Sequence, residues 1–493
     1  MQLSELIAAA GVAVRQKVGG DENIERVVYD SRAAVPETLF VCIRGFTGDG
    51  HAFAQRAYAA GCRAFLAEAA LTLPDDAAIV YTNDTRRALA QVSAAFYGFP
   101  ARDLTVIGIT GTKGKTTTAL MLAAILSENG MPAGYIGSNG ADFMGNHFDT
   151  KNTTPESLEL HYYFDLMRRA GCRAVVLEVS SQALYLERVY GIPFDAVAFT
   201  NLAPDHIGGV EHPTFAHYRD SKKQLFTDYG ATFAVGNADD PETAYMLDGC
   251  GALCSSFGVG AGDFRAADIT PFRAAGELGA EFTLTHFGER CRVRLPMPGA
   301  FSVHNALCAI ALAHLYGIPA AASAATLAHT YVRGRFEIVK TPLDAVFILD
   351  YAHNGLSLTS ALTTLRAYAP RRLVCVIGSV GGRTEGRRAE LGKAVSAYAD
   401  AAILTADNPD FEDPRAICDA IHAAFVREIP CETIPDRAEA VRYAVEHAGA
   451  GDIVLFAGKG HEQYQLVRGG KLPFSERRLI EETAAACALA KVE

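Results

Sequence analysis

The sequence predicts an α/β protein of three domains, with a central parallel-sheet domain opened by a P-loop and a C-terminal Rossmann-like α/β domain. Three observations lead there. The chain has 493 residues, and at roughly 150 residues per domain that is about three. From residue 104 onward, apolar runs rich in β-branched residues alternate with helical patterns, as in parallel sheets covered by helices. Between one such strand and its helix lies a glycine-rich turn, Gly111-Thr112-Lys113-Gly114-Lys115-Thr116-Thr117-Thr118.

Element by element, residues 1–100 hold short strand-like runs at 27–29, 39–43 and 78–81, between helical patterns such as 52–60. Tyr97-Gly98-Phe99-Pro100 interrupts both helix and strand and marks the first boundary. The central domain, 101–333, opens with strand 104–109. Helix 115–129 follows and stops at Gly130. Further strands read at 174–179, 196–200 and 232–235. Alternation over 263–295 suggests an antiparallel insertion or edge, and helix 304–315 closes the domain. The last domain, 334–493, reads as a second doubly wound unit. Its strands are 346–350, 373–377, 401–404 and 452–457, and its helices are 356–367, 387–399 and 414–425.

Composition narrows the function. Hydrophobic residues make up 49% and charged residues 20%, as in ordinary globular chains, and a chain this long needs no disulfide staples. The formal net charge of −11, from 45 basic and 56 acidic residues, argues against a general binder of nucleic acid or anionic membrane. Any anion site must be a local cluster. Stretch 6–14 follows Glu5 and lacks a basic leader, so it does not read as a signal peptide. No run approaches the about 18 apolar residues of a membrane helix. The 11 cysteines are scattered. Cys250 and Cys254 are the closest pair, with no second pair or nearby histidine at zinc spacing. Reduced thiols and a cytoplasmic location are expected.

The turn at 111–118 sits where a phosphate cradle belongs. Glycines let backbone N–H groups approach the phosphates, and the helix N-terminus adds positive potential. Lys115 would reach the β/γ-phosphates, and the Thr116 hydroxyl would hold Mg²⁺. The strict pattern is not met, because Ile109 occupies its first glycine position. Glu178 ends strand 174–179, and a carboxylate at that end of a parallel strand faces the ligand crevice. Coordination of a phosphate-bound Mg²⁺ stands there against the plainer reading of a solvated strand-end acid. Asp205-His206 follows the next strand in a similar place.

Further stretches complete a set: Asn152-Thr153-Thr154-Pro155, Glu178-Val179-Ser180-Ser181, Thr200-Asn201-Leu202, residues 299–305, Gly334-Arg335-Phe336-Glu337, Asp350-Tyr351-Ala352-His353-Asn354, Asp407-Asn408-Pro409 and Gly458-Lys459-Gly460-His461-Glu462. In order and spacing, and over essentially the whole length, the chain resembles the Mur ligase family. Asp30-Ser31-Arg32 and residues 45–51 make it most similar to the MurE type. The resemblance implies an ATP-dependent, ADP-forming ligase of peptidoglycan precursor synthesis. ATP phosphorylates the D-glutamyl γ-carboxylate of UDP-N-acetylmuramoyl-L-alanyl-D-glutamate, and the amine of a diamino acid attacks the acyl phosphate. The first domain would hold the UDP substrate, the second ATP, and the third the amino acid. No nucleic acid, integral membrane segment or second subunit is expected.

Roles carry over by position in the motifs. The resemblance assigns the nucleotide to Gly111, Thr112, Lys113, Gly114, Lys115, Thr116, Thr117, Asn305, Arg335 and Asp350. It assigns Mg²⁺ to Thr116, Glu178, His206 and Lys222. Lys115, Lys222 and His206 would carry catalysis. Lys222 matches a carbamylated lysine, with Lys223 leaving a one-residue ambiguity. Ser31, Asn152, Thr153, Thr154, Ser180 and Arg188 would hold the UDP-muramoyl-dipeptide. Arg383, Asp407, Asn408, Asp410, Gly458 and Glu462 would hold the incoming amino acid.

Three departures qualify the match. Ile207-Gly208-Gly209-Val210-Glu211-His212-Pro213 replaces the usual sequence after the metal histidine, and Lys113 stands where Asn is common. Asp410 follows Asp407-Asn408-Pro409, where diaminopimelate enzymes carry an arginine for the second carboxylate. An acid there would repel a carboxylate and attract an ammonium. L-Lysine is therefore the expected acceptor. The alternatives are diaminopimelate, another amino acid, or a ligase like folylpolyglutamate synthetase.

Overall fold

The structure is a computed structural model that describes residues 1–45, 48–204, 207–208, 211–274, 276–382 and 385–490. It divides into two compact units. The first comprises Met1–Arg265, Thr285–Glu289 and His304–Ser323, and the second Ala266–Leu284, Arg290–Val303 and Ala324–Glu493.

In the first unit a small sheet runs in the order Gln16–Val18, Ala78–Tyr81, Ala64–Ala67, Thr38–Val41, Arg26–Val28. The first pairing is antiparallel and the others parallel. Thr38–Val41 and Ala64–Ala67 are buried along their whole length, which explains why they read as continuous apolar runs rather than alternating ones. Leu3, Leu6 and Ile7 of the first helix join Leu89 and Val92 of helix Thr85–Phe96 in a core against one face.

The larger sheet of this unit runs Leu253–Gly258, Phe233–Asn237, Ala196–Phe199, Thr105–Thr110, Ala174–Glu178, Ala133–Gly137, all parallel. Two antiparallel strands, Gly140–Phe143 and Asn146–Phe148, extend it. Thr105–Thr110 lies between its neighbours with Ile109 beside Glu178 and Thr110 beside Phe199. The chain leaves in opposite directions on the two sides, so a crevice opens at the carboxyl end of this strand. Helix Lys115–Glu128 starts there. It buries Ala119, Met121, Leu122, Ile125 and Leu126, and a helix covered on most sides shows little amphipathic pattern.

The second unit carries the sheet Glu337–Val339, Val346–Asp350, Ile453–Ala457, Leu373–Ile377, Ala401–Leu404, Cys431–Thr433. Its first pairing is antiparallel and the rest are parallel. Helices Gly355–Arg366, Glu385–Tyr398 and Pro414–His422 bury Leu358, Leu362, Leu391, Val395, Ile417 and Ile421 on one face. Helices Arg437–Glu446 and Glu476–Ala490 bury Val441, Val445, Ile480 and Ala484 on the other. The predicted α/β class holds. The hairpin Tyr464–Val467 with Gly470–Pro473 and the helix Glu476–Ala490 were not anticipated.

One ion pair fixes the carboxyl ends of this second sheet. The Arg437 guanidinium, fully buried, donates to Glu476 at 2.8 Å and to the carbonyls of Ala406 and Ala457 at 3.0 Å each. Removing one partner of a buried pair leaves an uncompensated charge. Arg437→Leu is therefore expected to cost about 3–5 kcal/mol in urea unfolding, and Arg437→Leu with Glu476→Leu to recover most of it. Equal losses in the single and double variants would remove the pair as the cause.

Candidate active site

The glycine-rich loop is locked to the next strand. Thr112 N–H donates to the Asn201 carbonyl at 2.8 Å, Lys113 N–H to Asn201 Oδ1 at 2.9 Å, and Thr200 Oγ1 to the Lys113 carbonyl at 2.7 Å. Gly114 has φ 88°, and a Cβ there would overlap Asn305 Oδ1, which in turn accepts from Thr118 Oγ1 at 3.4 Å. Thr116 and Thr117 are buried in the first turn of the helix. Lys115 Nζ folds over the loop to the carbonyls of Gly111 and Thr112, at 2.7 and 3.2 Å. Lys222 Nζ reaches the same Gly111 carbonyl at 3.1 Å from helix Phe215–Thr227, and lies 4.5 Å from the Tyr218 ring centroid. Lys223 points elsewhere, 3.6 Å from Asp248.

Glu178 stands at the mouth of this loop and is not a solvated acid, being 1% exposed. Its Oε2 accepts from Thr116 Oγ1 at 3.0 Å. Its Oε1 accepts from Tyr135 OH at 2.5 Å and from Ser138 N–H at 3.0 Å. A hydroxyl and a carboxylate oxygen side by side at a helix N-terminus are hard donors of the kind Mg²⁺ takes, so the residues present fit that ion.

The segment 152–154 is tied to the backbone of the same residue. Thr154 Oγ1 donates to the Glu178 carbonyl at 2.8 Å and accepts from Ser180 N–H at 3.0 Å. Thr153 Oγ1 lies 2.9 Å from Ser138 Oγ, and Asn152 is exposed. Arg188 is buried and committed. Its Nε donates to Glu156 at 2.8 Å and an Nη donates to the Thr154 carbonyl at 3.2 Å. Ser31 begins a short 3₁₀ turn capped by Asp30, whose carboxylate pairs with Arg32 at 2.6 Å. The Arg32 hydrogen bonds hold the Asp30 carboxyl at about 2, below the ordinary carboxylate range. His206 and Arg383 lie outside the described residues. His212, within the departing loop, is buried and hydrogen-bonded to Ser181 Oγ at 2.9 Å and to His217 at 2.8 Å.

In the second unit a buried lysine organises the acids. Lys459 Nζ donates to Asn408 Oδ1 at 2.9 Å and to Glu462 Oε2 at 3.3 Å, and lies 3.4 Å from Asp407 Oδ1. Asn408 Nδ2 donates to the same Glu462 oxygen at 2.8 Å. Gly458 N–H donates to the Asp350 carbonyl at 3.0 Å. The Asp350 carboxylate accepts from the N–H groups of Phe336 and Ala352, at 2.8 and 2.9 Å. Those bonds make it a backbone brace. Arg335 stacks 5.0 Å from the Tyr351 ring. Burial, with the negative charge of Glu462 close by, pushes the Tyr351 phenol up to about 12. Asp410 has φ 53°. Its Oδ1 accepts from Gly469 N–H at 2.6 Å, and its backbone pairs with Leu466 and Arg468.

Sequence reading did not single out Tyr135, Ser138, Lys459, Arg437 or His212 for roles. Lys459 carried a signal, three residues before Glu462 in a glycine-flanked run. Tyr135 gave only a polar-tipped aromatic inside an apolar strand.

Comparison with known proteins decides the family. The chain matches the Mur ligase family catalytic domain over residues 23–97, the Mur ligase middle domain over 109–313, and the Mur ligase glutamate ligase domain over 334–460. The chain belongs to the Mur ligase family. It is thus an ATP-dependent ligase. A relative from Chlorobaculum tepidum is 41% identical over 97% of this chain and 96% of its own length. One from Caldanaerobacter subterraneus subsp. tengcongensis is 35% identical over 96% and 97%. Both are named UDP-N-acetylmuramoyl-L-alanyl-D-glutamate--2,6-diaminopimelate ligase. A solved structure of that name superposes with TM-score 0.67 at 27% identity, covering 94% of this chain and 95% of its own. Thermotoga maritima MurF, solved with ADP, gives TM-score 0.61 at 18% identity over 94% and 98% of the two chains, a likeness of fold. Mycobacterium tuberculosis folylpolyglutamate synthase shares the fold over only 76% of this chain.

Gly114→Ala would force an L-residue into a left-handed conformation, costing about 1–2 kcal/mol, and push against Asn305. ADP affinity by calorimetry should fall while the protein still melts cooperatively. Unchanged affinity would take the loop out of the nucleotide site.

Proposed function

We propose that this ligase joins 2,6-diaminopimelate to UDP-N-acetylmuramoyl-L-alanyl-D-glutamate in peptidoglycan precursor synthesis, using ATP and Mg²⁺. The observation that supports it most is the Thr116–Glu178 pair at the mouth of the phosphate loop, in a chain whose full-length relatives carry this name. Those names favour diaminopimelate over the lysine that Asp410 suggested.

A carboxylate and an amine form a salt at neutral pH, so the carbonyl must be activated before an amide can form. Lys115 and the helix N-terminus oppose the charge of the phosphates. Thr116 and Glu178 would hold Mg²⁺, which when bound neutralises phosphoryl charge. Thr154, whose hydroxyl donates to the Glu178 carbonyl and accepts from Ser180 N–H, would set Ser180 in place for the muramoyl substrate. Arg188, already paired with Glu156, serves this substrate by fixing Thr154. Lys222, 2% exposed and turned to the loop, is better placed than Lys223 for a carbamate beside the metal.

The acceptor half follows from charge. Asp407 and Glu462 set two carboxylates against the single ammonium of Lys459, leaving one negative charge for the amine of an amino acid. Asp410 spends its carboxylate on the hairpin turn at Gly469, so it need not repel a second substrate carboxylate.

ADP release is expected to require ATP, the UDP-dipeptide and the diamino acid together, and Lys115→Ala should slow it about 100-fold or more. Normal turnover in that variant would sink the phosphate-loop assignment. In a panel read by product mass, diaminopimelate should yield more tripeptide than lysine, and Asp410→Asn should leave that preference unchanged. A swing toward diaminopimelate in Asp410→Asn would return Asp410 to the acceptor site as a repulsive group.

A further inference from the structure

We infer that Tyr135, with the backbone N–H of Ser138, is a positioning residue that makes Glu178 a one-oxygen ligand for the nucleotide-bound divalent cation. The inference rests on the metal reading above. Its ground is the asymmetry of the Glu178 carboxylate. Oε1 receives two fixed donors, Tyr135 OH at 2.5 Å and Ser138 N–H at 3.0 Å. A carboxylate oxygen has two lone-pair sites, so both are in use. Oε2 faces the Thr116 hydroxyl on the loop. A cation between Thr116 and Glu178 meets one carboxylate oxygen.

The donor is itself aimed. Tyr135 OH accepts from Asn139 N–H at 3.2 Å, which turns its own proton toward Glu178, and chained hydrogen bonds of this kind polarise one another. The backbone makes room for the reach. Ala133–Gly137 and Ala174–Glu178 run parallel with Ile136 beside Leu177, which brings Gly137 alongside Glu178. A Cβ on Gly137 would overlap both the Glu178 carboxylate and the Tyr135 hydroxyl. The phenol crosses the space that a side chain on Gly137 would fill. Tyr135 and Glu178 are each 1% exposed, so no water competes for these bonds at low cost.

A consequence for ion choice follows. Mg²⁺ keeps near-octahedral geometry with few carboxylate contacts, whereas Ca²⁺ accepts both oxygens of one carboxylate. Blocking Oε1 favours the smaller ion. Tyr135→Phe keeps the buried ring and removes the hydroxyl, which donates to Glu178 and accepts from Asn139 N–H. It should raise the Mg²⁺ concentration that half-saturates Mg·ADP binding about tenfold, within the usual 10–100-fold loss for an outer-shell partner. It should also narrow the preference for Mg²⁺ over Ca²⁺, with metal-free ADP affinity near that of the unaltered protein and a lower melting temperature from the donor lost to a buried carboxylate. The test is calorimetric titration of the full chain with ADP at graded Mg²⁺ and Ca²⁺, alongside Glu178→Gln. An unshifted Mg²⁺ requirement in Tyr135→Phe, with a shift in Glu178→Gln, overturns the inference and leaves the metal reading standing. No shift in either variant overturns both.

Discussion

The hydrogen bonds around Glu178 hold the first unit's site together. Burying a carboxylate away from water is costly unless donors replace the solvent, and here donors from three separate segments meet Glu178. Tyr135 and Ser138 come from the end of one strand, Thr116 from the loop after another, and Thr154 fixes the Glu178 backbone carbonyl. The arrangement exists because three adjacent parallel strands end at one level, with Ile109 beside Glu178 and Thr110 beside Phe199. Movement of any strand by one residue would turn its terminal side chain to the other face.

The second unit solves a similar problem with the signs reversed. Asp407 and Glu462 are drawn together by Lys459, and Arg437 clamps the carbonyls of Ala406 and Ala457 that directly precede Asp407 and Gly458. Both cations are fully buried. A buried ion pair adds little net stability over a well-packed apolar pair, so its value here is positional. Two strand ends are held at fixed height, and a polar cluster is kept from collapsing onto itself.

Fold class and the glycine-rich turn between strand Thr105–Thr110 and helix Lys115–Glu128 were legible because both are local. Alternating apolar runs report strands, and a loop that must bring backbone to phosphate needs its glycines in series. From its place at a strand end Glu178 read most plainly as a solvated acid, yet it is buried. Direction was not legible. Asp410 shows in the sequence as a charge beside a substrate motif, but a positive φ and the approach of Gly469 turn its carboxylate to a hairpin 59 residues later. Arg188 was read as a surface cation or a substrate clamp, and it is buried on Glu156. Tyr135 reaches Glu178 across 43 residues of chain. No spacing rule covers such pairs, because they are set by which strands become neighbours.

Lys115 and Lys222 show how an acidic chain makes a local anion site. Both ammonium groups reach the one carbonyl of Gly111, at 2.7 and 3.1 Å, and so must lie close to each other. Like charges at that range repel, more strongly where water is scarce, and Lys222 is 2% exposed. An anion that enters beside them, as the phosphates of the proposed nucleotide would, meets both charges at once. Lys223, one position on, meets Asp248 instead. The net charge of −11 is therefore no obstacle to anionic substrates, because the loop geometry concentrates positive charge on a single carbonyl.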